Sequence, residues 1–360
     1  MKPTPPRPAL GSDPFTNSDG TLPYLIRLRE HIIHAVSENG EPIPRPHERK
    51  TPRTTPDLGP PIPDVPTFDD PDEAASWIDQ LAGVLLDRRD EERLAALAAS
   101  LGAHPYDRLG LSARTARRAL AVFKLIYRYY FRVESSGHQV IPEKGGAIIA
   151  ANHGGLLPFD AAMAIVDIFL KAEPPRLLRS VVDRWAGTLP FVNVFYARVG
   201  QVIGTRDNFR ELLRDEQIVL VFPEGLPAIR KKAAERYVLQ SFRVGFIEES
   251  MRNRVPIIPA AIVGPDDQAP ILYDLKPLAR LLGLPVLPIT PTFPWLGPLG
   301  LLPYPVKYEI RYGEPFRFFE EFPAKSCEDP HAVRYMAEQV RRRIQEIVDQ
   351  RVLARRGAGS

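Results

Sequence analysis

The stretch Ala150 to Asp160, AANHGGLLPFD, brings one imidazole, two adjacent glycines and one carboxylate into a single short segment. His153 can act as a general base on an attacking hydroxyl, provided a carboxylate fixes its tautomer and stabilises the imidazolium that forms. Asp160 is the nearest carboxylate downstream. Gly154 and Gly155 leave backbone amides unobstructed, so the same turn can donate to the oxyanion that forms when a carbonyl is attacked. A lone histidine and aspartate at this separation are more often structural than catalytic, so the neighbouring blocks carry the weight.

Three further blocks end in residues suited to binding. The apolar run in IVLVFPEG stops at Pro223, Glu224 and Gly225, which aims Glu224 towards the sheet edge that carries His153. VGQVIGTR delivers Arg206 at a strand end, and a guanidinium can hold a phosphate through two parallel hydrogen bonds. VPIIPAAIVG is a fourth apolar strand, and Arg230, Lys231 and Lys232 follow the Glu-Gly pair. Each block alone reads as strand-end punctuation; their order is the signal.

The elements that must position these residues alternate. Short apolar runs predict strands at Ala147–Ala151, Leu177–Val182, Val199–Ile203, Ile218–Phe222 and Pro256–Val263, with helices at Ala161–Lys171, Asn208–Asp215 and Gln240–Asn253 between them. The predicted fold class is α/β: a mixed, mainly parallel sheet flanked by helices, with an N-terminal helical cap. Strand-to-helix turns are where such sheets place reactive groups. A final strand is expected over Val306–Phe316, and an amphipathic helix over Pro330–Arg355 buries Val333, Met336, Val340, Ile344 and Ile347.

Four regions follow. Residues 1–68 are crowded with proline and read as disordered or extended, with a short helix at Leu25–Val36. Residues 69–134 form the helical cap and a basic, aromatic helix, SARTARRALAVFKLIYRYYFRV, opened by Ser112 as N-cap. That helix reads two ways, lying at a lipid interface or packing on the domain with its arginines solvated. Residues 135–320 hold the α/β domain, and 328–356 the C-terminal amphipathic helix. Within PLARLLGLPVLPITPTFPWLGPLGLLPYP, prolines rule out a spanning helix, leaving apolar surface that either meets lipid or wraps the core.

Composition excludes several classes. The 360 residues are 44% hydrophobic and 25% charged with a formal net charge of +3, too weak an excess for a nucleic-acid partner. Cys327 is the only cysteine, which rules out an intrachain disulfide or a thiolate metal cluster and favours a reducing, cytoplasmic setting. The remaining histidines lack neighbours at metal-ligand spacing, so no metal is expected. No secretory signal and no apolar run of spanning length is visible, so any membrane contact is expected to be peripheral.

NH followed by a carboxylate, then GxxxxxR, FPEG and VPIIPAAI, resembles the four-block pattern of the glycerolipid acyltransferase family, which includes lysophosphatidate and glycerol-phosphate acyltransferases. The resemblance spans about Phe131 to Phe316. It implies a catalytic pair at His153 and Asp160, acceptor binding by Arg206, Glu224 and Gly225 with Arg230 and Lys231 nearby, and a pocket shaped around Pro256 and Pro259. It also implies an acyl thioester donor (acyl-CoA or acyl carrier protein), a lipid acceptor at the inner face of a membrane, no metal or other cofactor, and no covalent intermediate. Two features depart from the pattern. Six residues separate His153 from Asp160, more than is usual in the family, and Leu226 and Pro227 follow Glu224-Gly225 where Thr-Arg is usual. The lengthened first block resembles a branch suspected of acting on neutral acceptors such as diacylglycerol. Two other readings are an esterase, which the lack of a G-x-S-x-G elbow disfavours, and a catalytically inactive lipid-binding protein, which the intact His153 and Asp160 disfavour.

Overall fold

The computed structural model describes residues 71–101, 106–189, 191–281, 284 and 286–358. All of them belong to one compact unit, 68–360. The proline-rich segment 1–68 and the helix expected at Leu25–Val36 lie outside the described residues.

Three helices lead in: α1 (Pro71–Leu85), α2 (Arg88–Leu101) and α3 (Ala113–Leu125), the last running on into a π-helical turn, Ile126–Tyr130. The α/β part follows as β1 (Glu134–Ser136), β2 (Ala147–Ala151), α4 (Phe159–Lys171), β3 (Leu178–Val182), α5 (Val192–Arg198), β4 (Val202–Ile203), α6 (Arg206–Arg214), β5 (Ile218–Val221), α7 (Gly245–Asn253) and β6 (Ile257–Val263). Then come a one-turn α8 (Pro265–Gln268), β7 (Tyr273–Asp274), α9 (Lys276–Leu281), β8 (Pro288–Ile289), β9 (Glu309–Tyr312), a one-turn α10 (Phe318–Glu321) and α11 (Pro330–Ala358). Among the described residues no helix is long and apolar enough to cross a membrane.

The main sheet has seven strands in the order β1-β9-β6-β2-β5-β3-β4, and only the β6–β9 pairing is antiparallel. Both neighbours of β2 run parallel to it, with Ala147 opposite Ile218 and Ile148 opposite Ile257. Unbroken apolar runs suit such strands because both faces are covered. On one face Ile149, Leu178 and Leu220 pack with Met163 and Ile168 of α4 and with Leu120 of α3. On the other, Ile148, Val219 and Ala261 meet Leu212 of α6, Ile247 of α7 and the Val333–Met336–Val340–Ile344 stripe of α11. Full burial of each such side chain stabilises the fold by about 1.5–3 kcal/mol.

Three boundaries differ from the sequence expectation. The strand expected at Val199–Ile203 shrinks to Val202–Ile203, because Val199 and Gly200 donate back to Phe195 and Ala197 and close α5, with Gly200 at φ 88°. The helix expected from Gln240 begins at Gly245, since the preceding segment runs past β5, where Gln240 and Arg243 donate to Glu224 and Pro223. The last strand is confined to Glu309–Tyr312, with Phe316 rejoining the sheet only through a bridge to Ile257.

The basic helix packs inward. Ser112 does cap it, accepting from Thr115 N–H. Its cations, however, meet acids of α1 and α2 or of the turn between them: Arg114 and Arg118 bond Asp79, Arg117 bonds Glu91, and Lys124 bonds Asp87 and Asp90. Carboxylates from outside the helix thus hold these four cations, while Arg128 in the π-helical turn stays exposed.

Candidate active site

Strand β2 ends at Ala151, and the Asn152 side chain extends its pairing. The amide donates to Ile262 O at 2.9 Å and accepts from Ile262 N at 2.7 Å, so a side chain mimics one more rung of the β2–β6 ladder. That clamp fixes where His153 leaves the sheet.

His153 Nδ1 lies 2.5 Å from Asp160 Oδ2. Asp160 is completely buried in the first turn of α4 and also accepts from Gly154 N (3.1 Å) and Ala161 N (2.8 Å). A carboxylate in that place is bonded only as an acceptor, so Nδ1 carries the proton and Nε2 is left as the basic nitrogen. Nε2 has no partner among the described residues, and the ring, 18% exposed, stacks on Phe222 with centroids 4.4 Å apart. The six-residue turn therefore does bring Asp160 to His153. Burial is the largest influence on the imidazole and disfavours its charge, but the negative charge and hydrogen bond of Asp160, aided by Glu224, outweigh it and hold the His153 pKa above the ordinary value.

A second layer of buried charge supports the turn. Glu224 accepts from His153 N (2.9 Å) and from Gln240 N (2.7 Å), so it holds the backbone of the base and does not face a ligand. Lys231 is buried with Nζ 3.3 Å from Asp266 Oδ2 and 3.8 Å from Glu224 Oε2. Burial pushes both carboxyls up, and Lys231 counters that. Lys231, expected beside the acceptor, is instead the internal counter-ion of this pair. The glycines are steric necessities: a Cβ on Gly154 would sit 2.2 Å from Asp266 Oδ1, and Gly155, at φ 77°, lies against Gln268. The Gly154 N–H is taken by Asp160, which leaves Gly155, whose N–H has no partner among the described residues, as the oxyanion candidate.

The other expected contacts spread out. Arg206 opens α6 after β4, three strands from β2 and thus about 14 Å away across the sheet, and its guanidinium is 3.2 Å from Glu248. Arg230 is exposed on the short turn Ala228–Arg230. Gly225 does require its type, at φ 63° with the Arg243 guanidinium 3.0 Å from where a Cβ would stand. The sequence reading missed Arg243, an exposed cation with no ion-pair partner among the described residues. It also missed Asn152, Asp266 and Gln268; of these, only the Asn-His dipeptide at a strand end offered a local signal.

Beside the dyad lies an apolar cavity of about 1410 Å³. It is lined by Leu157, Pro158 and Phe159 in the turn between His153 and Asp160, passes Phe123, Ile165 and Phe169, and reaches Gly145 and Gln217 at the opposite edge of the sheet. The span is about 20 Å, the length of β2 with its flanks. His153 itself does not line it; the turn that carries His153 does.

A buried carboxylate orients a mostly covered imidazole at the end of a parallel strand, beside a long apolar cavity, an arrangement able to take a proton from a hydroxyl next to an apolar ligand. Residues 132–263, which contain His153, Asp160, Arg206, Glu224 and Gly225, match the family model described as Acyltransferase. An uncharacterized protein of Mycobacterium tuberculosis is 36% identical over 236 residues, covering 65% of this chain and 66% of its own, so the match spans just under two thirds of that relative's length. The human DGAT1/2-independent enzyme synthesizing storage lipids is 27% identical over 126 residues, 35% of this chain and 38% of its own. The LPA acyltransferase PlsC from Thermotoga maritima overlays 76% of this chain and 94% of its own at 18% identity, with a TM-score of 0.41.

Proposed function

We propose that the chain transfers a fatty-acyl group from an acyl thioester, acyl-CoA or acyl carrier protein, to a hydroxyl of a glycerolipid. The His153–Asp160 pair, joined by a turn that lines the cavity, carries this reading. His153 Nε2 takes the hydroxyl proton as the acceptor oxygen attacks the thioester carbonyl, and Asp160 stabilises the imidazolium. The Gly155 N–H donates to the oxyanion. On collapse the C–O bond is kept, the C–S bond breaks, and the thiolate leaves with the proton returned by His153. The acyl chain occupies the cavity, whose lining from Leu157 to Phe169 is apolar. Substituting His153→Ala should abolish transfer of labelled acyl groups while the thermal unfolding transition stays in place; retained turnover in the folded variant would refute the reading.

The acceptor divides into two versions. Lys231 is buried between carboxylates and Arg206 meets Glu248, which favours a neutral acceptor such as diacylglycerol. The exposed guanidinium of Arg243 over Gly225 favours a phosphate-bearing one such as lysophosphatidate. Labelled acyl-CoA offered with both acceptors separates them.

A further inference from the structure

Two exposed apolar lobes stand at the same edge of the sheet as His153. Strands β2, β3 and β6 are parallel, so the chain leaves all three at one edge. After β2 comes His153. After β3 comes the first lobe, where Phe191, Val194 and Phe195 are 86%, 54% and 42% exposed. After β6 the chain enters an insertion from Ala269 to Tyr304, whose Trp295, Leu296, Leu299 and Leu302 are 78%, 60%, 70% and 57% exposed. In the sheet, β3 and β6 lie on opposite sides of the β2–β5 pair, so the lobes bracket the site.

The insertion is tied to the site by hydrogen bonds. Tyr304 N donates to Gln268 O at 2.6 Å, and Gln268 Nε2 donates to Leu157 O in the His153–Asp160 turn at 3.3 Å. Ile271 pairs with Lys232 beyond the Glu224 loop, and Tyr130 Oη donates to Pro303 O. The first lobe adjoins the cavity, which Phe191 and Phe195 line. Phe191 also holds φ 64°, a region costly for a residue with a Cβ, to stand where water covers it.

Isolated exposed apolar residues need no explanation, but two clusters around one lipid-handling site do. Tryptophan with leucines suits a bilayer interface, where an amphipathic ring meets headgroups. Exposed Arg184, Lys232, Arg236 and Lys276 follow β3, β5 and β7 and outnumber the exposed acids Asp183 and Glu235 there, while Asp267 is bonded by Arg236 and Tyr237. Cations around apolar side chains complement anionic lipid. The cations of helix α3 are not among them, because they pair with Asp79, Asp87, Asp90 and Glu91.

We propose that this edge is a membrane-docking face, with Phe191–Phe195 and Trp295–Leu302 inserted in an anionic bilayer on either side of His153, so that the acceptor reaches the base without leaving the lipid. The proposal rests on the acyl-transfer reading for its purpose but not for its test. The full chain is sedimented with vesicles of phosphatidylcholine and phosphatidylglycerol, beside a variant carrying Trp295→Ser, Leu296→Ser and Leu299→Ser. The variant should partition at least about tenfold more weakly and lose transfer to vesicle-borne acceptor in proportion, while transfer to acceptor in detergent micelles is unchanged. Equal vesicle binding by the two proteins, or none by the wild type, would overturn the docking face. So would sedimentation velocity showing that the substitutions abolish self-association with vesicle binding intact, which would assign the patch to a second copy. Absence of transfer by the wild type in both formats, with the binding difference present, would refute acyl transfer and leave the docking face standing.

Discussion

Asp160→Asn tests the central geometry. Asp160 is fully buried and accepts from His153 Nδ1, Gly154 N and Ala161 N. An amide has one acceptor where the carboxylate has two. If its oxygen keeps His153 and Gly154, its NH2 confronts the Ala161 N–H; if it keeps Ala161, the NH2 confronts the Gly154 N–H and the imidazole must move its proton to Nε2. Either orientation leaves a buried donor unmet, costing about 1–3 kcal/mol of stability. In both, the imidazolium loses its counter-charge. Turnover should fall about 10³-fold, within the range a positioned general base contributes, or ~4 kcal/mol of barrier.

The pH profile gives that prediction a second readout. The base must be neutral to work, and the native His153 pKa is raised, so wild-type turnover should fall on an acidic limb placed above the ordinary histidine value. Removing the Asp160 charge leaves the burial penalty in force, so the residual activity of Asp160→Asn should show that limb at lower pH. The wild-type proton also stabilises the fold, fully so below the unfolded pKa, and this contribution is lost as pH rises through the raised native value. Thiol release measured against pH checks both points. A loss smaller than about tenfold, or a limb that does not move, would refute the pairing as the source of the activity.

Three further outcomes follow from the same contacts. Lys231→Met removes the cation between Glu224 and Asp266, and the loss of stability should be about 3–5 kcal/mol by thermal unfolding; it should deepen as pH rises, since buried carboxyls with raised pKa values favour the native state only while protonated. Gly154→Ala drives a Cβ against Asp266, so a loss of about 1–3 kcal/mol and reduced turnover are expected, and a melting curve unchanged from wild type would contradict the packing. Arg243→Ala should raise KM for a phosphate-bearing acceptor about tenfold and leave a neutral acceptor unaffected, because a charge-assisted hydrogen bond is worth about 1.5–3 kcal/mol; equal kinetics with both acceptors would remove Arg243 from acceptor binding.

What was legible in the sequence was local. The β2, β5 and β6 runs declare themselves because strands covered on both faces are apolar without alternation. His153 and Asp160 could be paired because a single turn joins them. The sequence shows that Glu224 ends a strand but not which way it faces, and its role as acceptor for the His153 backbone depends on β2 and β5 being neighbours in the sheet.

The charges whose surroundings the sequence does not show share a cause in long-range pairing. The cations of α3 look solvated or membrane-bound when read along the helix, yet their partners Asp79, Asp87, Asp90 and Glu91 lie upstream on or between α1 and α2, where no periodicity connects them. Lys231 likewise sits in a basic run that suggests a phosphate contact, until Asp266, 35 residues on, meets it in the interior. Asp167 is the extreme case: it sits in an apolar stretch of α4, and its carboxylate accepts from Tyr127, Ser135 and Tyr312 and bonds His138, drawn from three separate segments. A buried charge is stable only where such partners converge. The partners of an isolated charged residue inside an apolar run are therefore set by topology. Here that topology diverts Arg114, Arg117, Arg118, Lys124 and Lys231 into scaffolding, and leaves Arg243 and the apolar side chains of the two lobes exposed.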